Sequence, residues 1–205
     1  LYDLVRENKW YYDTFYGMIQ TAAVDTNGDG KMYGPDDTFG FATSDYSSYG
    51  LLYASGEQFT TRDAVDKPVV VSDHVRMARV AEAAAKIMAD TNCTVITGKQ
   101  GISDPDNLRF VFEEGRSLFF GEVMQCITRM RGSDTDFGLI PWPKLDEAQS
   151  GYYNLVHATA AKAVNIPATQ RNPEMAGALL EAMAAKSMYT LTPAYFDVSM
   201  TYKYM

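Results

Sequence analysis

The chain is poor in the residues that carry thiol, imidazole and nucleophile chemistry. Two cysteines, Cys93 and Cys126, and two histidines, His74 and His157, are spread over 205 residues. Two cysteines make neither a disulfide framework nor a zinc spacing. Cys126 lies in a helical pattern and reads as a buried thiol, and a Cys93–Cys126 bridge is expected only in an oxidising medium. No G-x-S-x-G occurs, so the hydrolase nucleophile elbow is missing, and both histidines read as structural. Glu113 and Glu114 are adjacent, and successive helical side chains diverge, which argues against a paired-carboxylate mechanism from these two. Basic charge is also short: 18 Lys and Arg face 26 Asp and Glu, for a formal net charge of −8. The sequence pI of about 4.7 weighs against nucleic acid and against an anionic membrane surface. No apolar run approaches the ~18 residues of a membrane span. No signal-peptide pattern is present either. The chain opens at Leu1 inside an amphipathic pattern and closes at Lys203-Tyr204-Met205 without a helix stop, so a piece of a longer protein is expected.

What is present is enough for a sizeable core: 46% of the residues are hydrophobic and 21% charged, the balance of a folded domain. Leu1 to Ala23 reads as one helix, with Trp10, Phe15, Met18 and Ile19 near helical spacing. Thr38 to Ala42 reads as a strand, Ser44 to Ser48 as a polar loop, Gly50 to Ala54 as an apolar run, and Pro68 to Val71 as extended chain. Ser72 or Asp73 is placed to cap a helix reaching Asp90, with Met77, Val80, Ala84, Ile87 and Met88 on one side. Asp104-Pro105 opens a further helix that Gly115 stops. Arg116 to Phe120 is a strand, Glu122 to Arg131 a helix ended by Gly132, and Phe137 to Ile140 a strand halted by Pro141 and Pro143. Strand-like runs recur at 154–158 and 163–166. Asn172-Pro173-Glu174 starts a helix to Met188, whose Met175, Leu179, Leu180, Met183 and Ala184 form a core stripe, and Pro193 starts the last helix. Helices alternating with short strands imply a helix-rich α/β or α+β domain.

The most specific local signal is the acidic loop Asp25 to Asp36. Calcium takes six to eight oxygen ligands, and oxygens at loop positions one, three and five converge when the chain turns sharply at six. Asp25, Asn27 and Asp29 hold those three positions, and Gly30 is sixth. Lys31, seventh, offers its backbone carbonyl, and Asp36 is twelfth, where the shorter Asp replaces the usual Glu and resembles the dockerin calcium loop. A structural Ca2+ is the expected cofactor; the competing reading is a solvated turn built on Asn-Gly and Asp-Gly.

Three stretches, taken in order, resemble the family 1 extracellular solute-binding proteins of ABC sugar importers. The first is Leu1 to Glu7 with Lys9-Trp10-Tyr11-Tyr12-Asp13, leading to the acidic loop and Phe39-Gly40-Phe41. The second is Phe112 to Phe120 followed by Asp136 to Lys144. The third is Ile166-Pro167-Ala168-Thr169 with Asn172-Pro173-Glu174 and the closing Pro193-Ala194-Tyr195-Phe196. The resemblance implies a periplasmic-binding-protein-like lobe, type II-like, from a two-lobed hinged receptor. Residues 1–205 are then expected to form a single lobe, the middle portion of the longer chain. It implies a sugar or oligosaccharide ligand, an ABC transporter permease as partner, an extracellular, cell-surface-attached or periplasmic location, and no catalysis.

Sugars present apolar ring faces and many hydroxyls, so flat aromatics beside polar side chains are the residues to look for. In α/β sheets ligands sit beyond the strand ends. Ser44, Asp45, Tyr46 and Tyr49 follow the first strand; the bland reading is an exposed loop. Glu122 follows the Arg116–Phe120 strand, and serves either sugar hydroxyls or the next helix's dipole. Trp142, between prolines, is a stacking platform or a core residue, and Tyr152 and Tyr153 stand in the same position. Two other classes remain open: a secreted calcium-stabilised enzyme acting on glycans, and a calcium-dependent adhesion or scaffold domain. The first lacks a recognisable nucleophile or metal motif, and the second predicts a tandem loop that occurs once here.

Overall fold

Phe39-Gly40-Phe41-Ala42-Thr43 is the segment around which the fold is organised. All five residues are buried, as expected of a central strand covered on both faces. The computed structural model describes residues 1–71, 74–156 and 163–200. The cap expected at Ser72 or Asp73, and His157, lie outside the described residues. Within the described chain, β1 (Phe39–Thr43) is the middle strand of a parallel sheet, flanked by β4 (Thr94–Ile96) and β5 (Ser117–Gly121). The register sets Thr43 opposite Ile96 on one side and opposite Gly121 on the other. A two-stranded antiparallel ribbon, β2 (Thr60–Arg62) with β3 (Pro68–Val70), stands apart and exposed.

The helices of this first unit are α1 (Tyr2–Arg6), α2 (Tyr12–Ala22), α3 (Ser47–Ala54), α4 (His74–Ala89) and α5 (Pro105–Glu113). They divide between the two faces of the sheet. Tyr12, Phe15 and Ile19 of α2, Leu51 of α3, and Ala84 and Ile87 of α4 share one core with Trp10 and Phe41. Leu108 and Val111 of α5 share the other with Phe39, Ala42 and Val95. Phe39 and Phe41 should face the same way in a regular strand. They do not, because the N–H groups of Gly40 and Phe41 both donate to the Cys93 carbonyl, at 2.9 and 3.0 Å. Two residues opposite one make a bulge, which resets the alternation. Gly40 is obligatory there: a Cβ would stand 2.0 Å from the Ile19 carbonyl oxygen.

Several expectations are corrected. The helix expected over Leu1–Ala23 is two helices. Asn8 adopts φ 62°, and the chain closes α1 with Lys9 N–H to the Leu4 carbonyl and Asn8 N–H to the Val5 carbonyl. That is the left-handed helix stop normally made with glycine; Gly115 makes the same one after α5, as expected. Trp10 and Tyr12 then bond the backbone of Lys144. Ser47, assigned to a loop, already belongs to α3. The helix of Glu122–Arg131 shortens to α6 (Cys126–Arg129) with a 3-10 turn at Met130–Gly132. Phe137–Ile140 is not a strand, nor are the described parts of 154–158 and 163–166. Apolar runs of that length form strands only where an open sheet edge meets them, and the prolines at 141 and 143 lack the N–H that a ladder needs.

The chain divides into two compact units. The first is Leu1–Cys126 with Ser133–Thr135 and Ile140–Leu155; the second comprises Ile127–Gly132, Asp136–Leu139 and the described part of Val156–Met205. In the second, α7 (Pro173–Tyr189) starts as expected, Asn172 Oδ1 accepting the Met175 N–H at 3.0 Å. Among the described residues three members of its expected core stripe are exposed, Met175, Leu179 and Met183, at 60%, 58% and 67%. The helix that follows starts at Leu191 rather than Pro193.

Candidate functional site

The carboxyl ends of the three parallel strands fall in one row, Ile96, Thr43 and Gly121. The chain leaving β1 enters α3 on one face, whereas the chain leaving β4 enters α5 on the other. Where neighbouring strands send their exits to opposite faces, a crevice opens between them. Here that switch point falls between the β1 and β4 exits, at Ser44 and Thr97. The Thr97 N–H donates to the Thr43 carbonyl at 3.2 Å. Its hydroxyl is shielded and has no partner among the described residues. The β4 exit was invisible in the sequence because Thr94–Ile96 is only three residues long; the one signal that could have found it was the turn-forming Gly98, with φ 83°.

Of the sequence-predicted residues, Ser44, Asp45, Tyr46, Tyr49 and Glu122 are brought to this edge. Ser44 is buried, Asp45 and Glu122 are exposed, and Tyr46 and Tyr49 offer 61% and 53% of their surface. The Ser44–Ser48 turn is held by Ser47 N–H to the Ser44 carbonyl and by Ser48 Oγ to the Asp45 carbonyl. Glu122 Oε1 accepts the Val123 N–H at 2.9 Å.

Trp142, Tyr152 and Tyr153 belong to the Ile140–Leu155 segment. Trp142 meets Phe41 edge-on at 6.1 Å and covers Gly50, where a Cβ would touch its ring at 2.9 Å. Tyr152 packs on the same core, and its hydroxyl accepts the Trp10 N–H at 3.2 Å. Tyr153 covers Gly56, past the far end of α3, about 12 Å along the helix from the sheet edge. These rings fasten the Ile140–Leu155 segment over the first core, which Lys144 also anchors. Lys144 is fully buried, its Nζ donating to the Gln149 carbonyl at 3.0 Å beside the rings of Tyr11 and Tyr152.

The acidic loop sits at the opposite end of the strands. Asp25 is its hub: Oδ1 accepts from Gly28 N–H and Oδ2 from Gly30 N–H, at 2.7 and 2.8 Å. Asn27 accepts from Asp29 N–H and Asp29 from Lys31 N–H. Gly28 and Gly30 take φ of 72° and 79° to allow this winding. Among the described residues no three His, Cys, Asp or Glu side chains form a metal-holding group. The loop's remaining donors are all oxygen: the free lone pairs of Asp25, Asn27 and Asp29, the Lys31 carbonyl and Asp36, a set that suits a hard cation. The residue that sequence reasoning missed is Asp37. It is fully buried and clasps the loop's two ends, Oδ1 accepting from Thr26 N–H and Oδ2 from Tyr33 N–H.

Beside the loop lies a cavity of about 370 Å³ between Gln20, Asp25, Asp90 and Cys93. Of the two cysteines it is Cys93 that is buried, whereas Cys126 is half-buried. Burial pushes the Cys93 thiol up to about 12, so it is no nucleophile at neutral pH. A hydrogen bond to Asp90, 2.7 Å long, likewise holds the Tyr16 phenol up to about 12. Burial raises the Asp90 carboxyl, but bonds from Tyr16, Asn92, Cys93 and Gln20 outweigh it and leave the group below its ordinary value.

Among the described residues no helix is long and apolar enough to cross a membrane. No family model, curated protein or solved structure matches the chain.

Proposed function

We propose that this chain is most of one lobe of an extracellular solute-binding protein that captures a sugar or oligosaccharide and delivers it to an ABC transporter permease. The observation that carries the reading is the carboxyl edge of the parallel sheet. There the exits of adjacent strands set two exposed tyrosines, Tyr46 and Tyr49, beside Asp45, Ser44 and Glu122. Aromatic faces suit the apolar faces of a pyranose, and carboxylates accept its hydroxyls. A periplasmic-binding-protein-like lobe, type II-like, presents such an edge to a hinged second lobe. The uncovered stripe of α7 adds support, since Met175, Leu179 and Met183 require an apolar surface that a second lobe supplies. The location that follows is extracellular, cell-surface-attached or periplasmic, and the role is non-catalytic.

In the same reading Ca2+ is a structural ion of the acidic loop, held by Asp25, Asn27, Asp29, Asp36 and the Lys31 carbonyl, and it secures the chain between α2 and β1. Its role is to stiffen the fold rather than to touch the solute.

The test is thermal melting of the full-length protein with glucose, galactose, xylose, maltose, cellobiose and raffinose, followed by recovery of the sugar. A rise in melting temperature with the sugar recovered intact is expected. Release of a cleavage product rejects the receptor in favour of a glycan-active enzyme, and the absence of any stabilisation rejects the sugar. The isolated 205-residue chain is expected to bind the same sugar weakly, because half the cleft is contributed elsewhere.

A further inference from the structure

The turn that carries Ser44, Asp45 and Tyr46 is pinned at both ends by buried hydroxyls. Thr43 is fully buried and Ser47 is 6% exposed. Thr43 Oγ1 donates to the Gly121 carbonyl at 2.9 Å, Ser47 Oγ approaches the same carbonyl at 3.3 Å, and the two hydroxyls bond each other. Gly121 is the last residue of β5, and Glu122 follows it directly. The approach is close enough to need glycine, because a Cβ on Gly121 would lie 2.7 Å from the Phe41 ring and 2.9 Å from Thr43 Oγ1. The Thr43 carbonyl accepts the Thr97 N–H. One residue therefore joins all three strand exits: β4 through its carbonyl, β5 through its side chain, and β1 through the chain itself.

We propose that Thr43 and Ser47 are positioning residues, a hydroxyl clasp that locks the Ser44–Tyr46 turn against the β5 exit so that Tyr46, Asp45 and Glu122 meet the ligand as one preformed surface. The inference rests on the receptor reading for its ligand, though not for its geometry. Neither hydroxyl need touch the sugar. Each carries a single proton, so the pair and the Gly121 carbonyl satisfy one another only in a chain. Removing one hydroxyl leaves a buried acceptor underused and frees the turn. A turn that is already ordered loses less freedom when a ligand arrives, and that difference appears as affinity.

The experiment compares Thr43→Val, which keeps shape and loses the hydroxyl, with Thr43→Ser, which keeps the hydroxyl, in the full-length protein. Two readouts are taken: calorimetric affinity for whichever of the six sugars stabilises the wild type, and amide exchange at residues 44–48 and 122. Thr43→Val is expected to bind about tenfold more weakly and to exchange faster at those amides. Thr43→Ser is expected to keep wild-type affinity and exchange. A Thr43→Val protein that melts lower but binds as tightly as wild type overturns the clasp, as does unchanged exchange. Should Thr43→Val fail to fold, Ser47→Ala removes one hydroxyl of the pair, and the same outcomes decide. If no sugar stabilises the wild type, the sugar ligand is rejected, and exchange alone then upholds or overturns the clasp.

Discussion

At the scale of single residues, the consequential positions are those where backbone or buried charge leaves no room for exchange. Gly40 is the sharpest case. Its missing Cβ lets α2 lie against β1, with the Ile19 backbone occupying the space. Gly40→Ala is expected to destabilise the protein by about 3 kcal/mol, because backbone cannot move aside as a side chain does; urea unfolding measures it. Asp37 is the second. Its two oxygens satisfy the N–H groups of Thr26 and Tyr33, and neither donor has another acceptor in the described structure. Asp37→Ala is expected to cost about 3 kcal/mol, at roughly 1–3 kcal/mol for each orphaned donor. Asp37→Asn keeps one acceptor oxygen and should recover part of that loss.

The Tyr16–Asp90 hydrogen bond gives a pH signature with two limbs. The Tyr16 phenol is held above its ordinary 10.0, up to about 12. Its contribution is therefore complete below pH 10 and is lost as pH rises toward 12. The Asp90 carboxyl is held below its ordinary 3.8, so its contribution is complete above that value and is lost as pH falls further. Melting temperature should fall on both sides, and Tyr16→Phe should flatten the alkaline limb. An unaltered alkaline limb in Tyr16→Phe would assign it to other groups.

At the scale of elements, legibility followed the local signals. Asp104 before Pro105, Gly115 after α5, and Asn172 before Pro173 were all readable, because caps are made by residues a few positions apart. Asn172→Ala should lower stability by about 1 kcal/mol if α7 is a cooperative part of the fold. Asn8 could have been read in the same way, since asparagine tolerates the left-handed stop, but the amphipathic pattern continuing past it concealed the break. The short strand β4 and the ribbon strand β2 were not legible. Three-residue strands carry no periodicity and exist because a neighbouring strand meets them. The opposite error fell at Phe137–Ile140, an apolar run that forms no strand.

The α7 stripe belongs to this scale too. Its spacing is that of a core helix, but the described structure leaves it exposed. Met183→Lys should change the stability of the 205-residue chain by no more than about 0.5 kcal/mol, as for other exposed substitutions. In the full-length protein the same change should cost several times more, if the proposed second lobe covers the stripe. Equal small effects in both would leave the stripe without a cover.

At the scale of the whole molecule, the expected helix-rich α/β class holds, with a parallel sheet covered on both faces by helices. Calcium is a matter of this scale because the loop it is proposed to bind connects α2 to the central strand. Chelator should lower the melting temperature of protein prepared with calcium, and Asp25→Ala should abolish the difference. No chelator effect would leave the loop as a turn organised by Asp25 and Asp37 alone.

The sequence by itself determined the central strand, the capped helices, the winding of the acidic loop, the acidic balance of the chain and its lack of a long apolar run. Each of those is set by residues close along the chain, whose preferences do not wait for partners. Tertiary structure alone decided that Ser44–Tyr49 and Glu122 share an edge while Tyr153 packs past the far end of α3. It also placed Asp37 rather than Asp36 at the centre of the loop's anchorage, and joined Thr43 to Gly121. Those relations join positions that are distant in the chain, and a register or a buried hydrogen bond exists only once both strands are in place.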